Sequence, residues 1–171
     1  MELKLIGKPG ARCALALAGA YFLVLTETSY AATATTTLAV QVTITASCTI
    51  NSASALNFGT QGILSANVDQ TSTIQVTCTN STPYNIGLNA GTGTGATVAT
   101  RKLTSGGATV NYTLYSDSGR STVWGNTVST DTAAGTGNGG AQSYTVYGRI
   151  PTQTTPAPGT YTDTITVTVT Y

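Results

Sequence analysis

The chain has 171 residues, enough for one domain, and is 40% hydrophobic but only 8% charged, with a formal net charge of +1. That balance excludes a disordered chain, and it leaves nothing to grip a phosphate backbone, so no nucleic acid is expected as a partner. Thr, Val, Ile and Tyr interspersed with Gly, Asn and Ser turns read as all-β.

Residues 1–31 have the three-part pattern of a secretory signal peptide. Lys4, Lys8 and Arg12 precede the apolar run Cys13–Leu25, and a polar stretch ends in Ser29-Tyr30-Ala31. The cut is expected after Ala31 or a few residues later. The apolar run is shorter than the ~20 residues a membrane span needs. Beyond the leader the positives are Arg101, Lys102, Arg120 and Arg149 and the negatives Asp69, Asp117, Asp131 and Asp163. This leaves a net charge near zero, which favours self-association.

The stretch from Thr36 to Cys48 alternates without a break: Leu38, Val40, Val42, Ile44, Ala46 and Cys48 share one parity. This predicts a strand with one apolar face, continuing to Ile50. Export leaves two cysteines, Cys48 and Cys78, each in phase with the inward face of its strand, so a disulfide is expected. Two thiols without a His make a poor zinc site, and no C-x-x-C spacing supports a redox pair.

Leu56 and Phe58 alternate briefly before Gly59, and Thr60–Asp69 reads as a loop. Thr71–Cys78 is the next strand, Asn80–Pro83 a turn, and Tyr84, Ile86 and Leu88 the strand after it. Gly91–Gly95 resembles a phosphate loop, but no helical pattern follows, so it reads as a turn. Thr97–Leu103 reads as a short edge strand whose Arg101 and Lys102 would blunt an open edge. Val110, Tyr112 and Leu114 mark one face of a strand, followed by the apolar island Val123-Trp124-Gly125. Gly135–Gly140 reads as a long tip, Tyr144 to Ile150 as a strand, and Pro151–Gly159 as a connection. Tyr161–Tyr171 closes the chain, with Ile165, Val167, Val169 and Tyr171 alternating against threonines. Eight or so such strands predict a sandwich or barrel.

The last strand runs to Tyr171 with none after it to cover its edge, while the first looks able to detach. An uncovered apolar strand edge is an aggregation hazard, but strand addition turns it into a recognition mode. The N-terminal strand of one copy would then fill the groove of the next. Burying Leu38, Val40, Val42 and Ile44 would contribute roughly 1.5–3 kcal/mol each before ordering costs. Such contacts do not close, so they build a filament.

The ordered set of motifs resembles the spore coat protein U family, whose members include subunits of archaic chaperone–usher pili. The matching pieces are Ala46–Ile50, Leu56–Gly59, Ile74–Cys78, Arg101–Leu103, Val110–Asp117, Val123–Gly125, Tyr147–Pro151, Pro158–Thr164 and Val167–Val169. The resemblance implies an incomplete immunoglobulin-like β-sandwich completed by donor-strand exchange. It implies as partners a periplasmic chaperone, an outer-membrane usher, and copies of the chain or other pilus subunits. It implies display in a surface pilus or extracellular coat, with adhesion and biofilm growth. The donor strand falls on Leu38–Ile44 within a segment 32–45, the disulfide on Cys48 and Cys78, and the acceptor or chaperone-facing strand on Ile165–Tyr171. The resemblance implies that residues 46–171 form the pilin-type domain, and with no room expected for the second domain that tip adhesins carry, a shaft or adaptor subunit is expected.

Two rivals stand beside this reading. An enzyme would need acid–base machinery, but past the leader there is no His or Glu, and the four Asp residues are scattered. No catalytic residue, metal or cofactor is therefore expected. A secreted carbohydrate-binding β-sandwich would need exposed aromatics on one face, for which Tyr115, Trp124 and Tyr147 are the candidates.

Overall fold

The computed structural model describes residues 29–171, so the leader read over 1–31 lies almost wholly outside the described residues. The chain divides into two units, residues 1–41 and 42–171. In the first, residues 29–41 form neither helix nor strand and are exposed throughout. The second carries eight strands among the described residues: β1 (Cys48–Ala53), β2 (Val68–Cys78), β3 (Pro83–Leu88), β4 (Arg101–Ser105), β5 (Ala108–Tyr115), β6 (Ala133–Thr136), β7 (Ala141–Ile150) and β8 (Val167–Thr170).

The strands form a five-stranded sheet in the order β1-β2-β7-β5-β4 and a three-stranded sheet in the order β6-β3-β8. All the pairings are antiparallel. The period-two pattern sends one face of each strand into a shared core. Ile74, Val76 and Cys78 of β2 meet Tyr84, Ile86 and Leu88 of β3, with Val110, Tyr112 and Leu114 of β5 and Val146 and Ile150 of β7. Trp124 is buried there too, and its indole Nε1 donates to the Ile86 carbonyl at 2.7 Å.

The structure corrects the element boundaries in several places, among them the start of β2, which at Val68 takes in residues read as loop. The first strand begins at Cys48, not Thr36; residues 36–47 alternate, but among the described residues no ladder partner makes them a strand. Residues 97–100 form a turn closed by reciprocal Thr97 and Thr100 backbone bonds, so β4 starts only at Arg101. Gly135 and Thr136 belong to β6, not to a tip. Gly135 faces Tyr84 across the ladder, and a Cβ there would collide with the Tyr84 and Tyr144 side chains, so only glycine lets the rings approach. In the final segment only Val167–Thr170 joins the ladder with β3, whereas Thr162 pairs with Thr104 of β4 in the other sheet.

Arg101 is the largest departure. Expected to blunt an edge, it is fully buried. Its guanidinium donates to four carbonyls: Asn89 (2.8 Å), Val98 (2.8 Å), Leu88 (2.9 Å) and Trp124 (2.7 Å). It thereby ties β4 of one sheet to the end of β3 in the other. Burial pushes its pKa down from the ordinary value, opposed by the nearby Tyr112, Asp163 and Asp131. Every buried side-chain polar atom among the described residues has a partner.

Cys48 and Cys78 are directly opposite in the β1–β2 ladder and are joined by a disulfide with an S–S length of 2.03 Å. Among the described residues, β1 is an edge strand that pairs with β2 alone. Replacing both cysteines by serine is therefore expected to cost about 3–4 kcal/mol in urea unfolding, mainly through the freed unfolded chain. An unchanged midpoint would show that the bond holds nothing that the ladder does not.

Candidate functional site

The two sheets do not close against each other along one side. Between Ala53–Leu56, at and just past the end of β1, and Ile165 and Val167, at the entry to β8, lies a cleft of about 320 Å³. Its floor is the core itself: Ile74, Tyr112, Leu114 and Val146 line it together with Phe58 and Leu88.

The β8 rim also presents unpaired backbone. Leu88 faces Val167 across the β3–β8 ladder, yet the Leu88 N–H donates to the Gly125 carbonyl on the opposite side. Leu88 and Val167 are thus a non-hydrogen-bonded pair. The next pair is bonded, with the Asn89 N–H donating to the Thr166 carbonyl at 3.2 Å. Antiparallel alternation then directs the N–H and C=O of Ile165, Val167 and Val169 away from β3. β8 is the end strand of its sheet, so no strand of the described residues pairs with them. The same three residues turn half-buried side chains inward, against the core.

The predicted site residues distribute as follows. Ile165 and Val167 line the cleft, and Val169 packs against the core beside them. Tyr171 does not join them; it lies past β8 and is 59% exposed. Leu38, Val40, Val42 and Ile44 are 76–88% exposed, and none lies in a strand. Large apolar side chains are rarely arranged this way unless another surface is meant to cover them.

The carbohydrate reading loses its central residue, because Trp124 is buried in the core. Tyr115 and Tyr147 are cross-strand neighbours and only half-buried, but the Arg120 guanidinium sits 5.7 Å from the centre of the Tyr147 ring. Arg120 also approaches Asp69 at 3.3 Å, and Arg149 grips Asp69 through two bonds of 2.7 and 2.8 Å. The Arg149 hydrogen bonds hold the Asp69 carboxyl below its usual range, against the opposing effect of burial and with help from the Arg120 charge.

A folded-state pKa below the unfolded one stabilises at neutral pH and is lost as pH falls through the folded value. Asp69→Asn should therefore lower stability at pH 7, and the gap should close as pH drops below 3.8, the ordinary aspartate value. The Asp69 side chain is 36% exposed, so the effect at pH 7 is under about 1 kcal/mol. Thermal melts of both proteins between pH 7 and pH 2 check this; a gap that widens in acid would contradict it.

Sequence reasoning did not single out Asp163. Its carboxylate accepts from the Thr92 N–H (2.7 Å), the Thr92 hydroxyl (2.9 Å), the Thr164 N–H (2.7 Å) and the Tyr112 hydroxyl (2.7 Å). Burial, then donation to Asp163, pushes the Tyr112 phenol well above its usual pKa. Thr92 is 71 positions away in sequence, so no local motif marks this contact.

Two antiparallel sheets packed face to face, with one lateral edge unfilled beside β8, define an all-β immunoglobulin-like sandwich. The chain belongs to the Spore Coat Protein U domain family, whose profile matches residues 34–168. It is 32% identical over 171 residues to "Protein U" of Myxococcus xanthus, covering 91% of this chain and 95% of that one. It is also similar in structure to a chain of the CsuC–CsuE chaperone–tip adhesion subunit pre-assembly complex from archaic chaperone–usher Csu pili of Acinetobacter baumannii. That match has a TM-score of 0.57 at 24% identity and covers 75% of this chain but only 41% of that chain, and it speaks to the fold.

Proposed function

We propose that the chain is a structural subunit, not an enzyme, of a surface pilus or coat, and that it polymerises by donor-strand exchange. The carrying observation is one chain that has both halves of a strand-addition contact. It has exposed, alternating Leu38, Val40, Val42 and Ile44, and an apolar cleft rimmed by the unpaired backbone of Ile165, Val167 and Val169. An incoming strand beside β8 gains ladder bonds and buries its apolar face on Leu114, Tyr112 and Val146. The four donor side chains contribute roughly 1.5–3 kcal/mol each before ordering costs.

Before assembly, the open edge invites uncontrolled pairing, so a periplasmic chaperone lends a strand and an outer-membrane usher passes subunits to the surface. Family membership and the fold shared with a chain of a chaperone–subunit complex support these partners. They also support export behind the leader at 1–31, with 32–45 as the donor segment and 46–171 as the receiving domain. Adhesion and biofilm growth follow as the role of the resulting fibre. The native size of the purified mature protein tests the reading. Ladders that resist SDS and collapse on heating are expected; a lone species of one-chain mass, stable without a chaperone, would sink it.

A further inference from the structure

The segment that forms the cleft's β8 rim changes sheets within a few residues. Thr162 pairs with Thr104 of β4 through bonds of 2.8 and 3.1 Å, and Thr166 pairs with Asn89 at the end of β3. Asp163 stands at the crossing. Its four donors come from three places: the loop after β3, strand β5, and its own segment. The Gly91 backbone has a φ of +85°, and a Cβ on it would run into the Asp163 carboxylate. The loop is thus shaped around this one side chain, and Asp163 itself lines the cleft two positions before Ile165.

We infer that Asp163 is a positioning residue of the strand-receiving site, an inference that rests on the reading proposed above. Its carboxylate anchors the crossing to Tyr112 on the cleft floor and to Thr92. This fixes where the backbone edge of Ile165 and Val167 stands relative to the core face that receives donor side chains. A strand adds to an edge only if ladder and pockets are in place together, so a pre-set rim removes an ordering cost from capture. Without the anchor, the rim would have to be ordered during each encounter.

The test uses the full mature chain, freshly refolded, and a fluorescent synthetic peptide of residues 33–47, at a temperature where near-UV circular dichroism shows every variant folded. Gln153→Ala serves as the control for lost stability. Its carboxamide pairs with the Asn111 backbone of β5 through two 2.9 Å bonds and does not line the cleft. Asp163→Ala should capture the peptide about tenfold more slowly than wild type, while Gln153→Ala keeps the wild-type rate. Asp163→Asn, which retains the accepting oxygen, should restore most of the rate. If Asp163→Ala does not fold, Tyr112→Phe removes one donor from the same anchor and should slow capture about threefold. Asp163→Ala or Tyr112→Phe capturing as fast as Gln153→Ala would overturn the positioning role and leave the receiving cleft standing. No capture by the wild-type chain would overturn the cleft reading itself.

Discussion

Arg101→Ala is expected to destabilise the domain by about 3–5 kcal/mol, a fifth or more of the stability of an ordinary domain. The guanidinium is fully buried and holds the carbonyls of Leu88, Asn89, Val98 and Trp124. Truncation leaves those acceptors without donors and opens a cavity where the side chain stood, and both costs act at once. Arg101→Lys should recover only part of the loss, because an ammonium has three donors on a single atom and cannot span the four carbonyls. Urea unfolding of the two variants checks the order: wild type above lysine, lysine above alanine. A lysine variant as stable as wild type would show that charge alone, not the fork, satisfies the site.

Val40→Asp combined with Val42→Asp is expected to abolish heat-labile, SDS-resistant polymers while leaving the domain's melting temperature unchanged. The two side chains are 87% and 81% exposed, so charging them costs the folded subunit little. In a strand-exchange contact they enter a neighbour's apolar core, where an unpaired carboxylate costs several kcal/mol per site. Gln41→Asp, one position out of phase, should assemble normally, because parity keeps it on the outer face of the added strand. Polymers persisting in the double variant, or vanishing equally in Gln41→Asp, would contradict strand exchange through this face.

Much of the sandwich was legible because alternation and burial coincide. Tyr84, Ile86 and Leu88, Val110, Tyr112 and Leu114, and Ile74, Val76 and Cys78 each predicted a buried face, and each lies in the core. Trp124, legible only as part of an apolar island, is core as well. Elements whose reason for existing is tertiary were not legible. β6 has the sequence Ala-Ala-Gly-Thr and is a strand only because β3 pairs with it. The start of β2 carries Asp69 and Gln70, exposed and without an apolar rhythm, and is ordered by its ladder with β7.

Arg101 misled for the same reason. A charge in a short edge strand reads as an edge guard, whereas its four acceptors converge only after two sheets and two loops have packed. In the candidate site, the alternating faces of Leu38–Ile44 and of Ile165, Val167 and Val169, which we propose as donor and acceptor, were visible as periodicity. The anchor at Asp163 was not, since its partners Thr92 and Tyr112 lie 71 and 51 positions away.

The Cys48–Cys78 bond has a mechanical consequence. Any pull on the residues before Cys48 enters the domain at that sulfur and crosses covalently to Cys78, the last residue of β2, a short turn away from β3. The tensile load bypasses the β1–β2 ladder, which has no need to resist unzipping. The stretch of sequence separation 30 inside the loop stays out of the load path, so a stretched subunit is shorter by roughly 100 Å of contour than one with the bond reduced. In the fibre we propose, the bond would act as a length limiter set at the point where one subunit is tethered to the next.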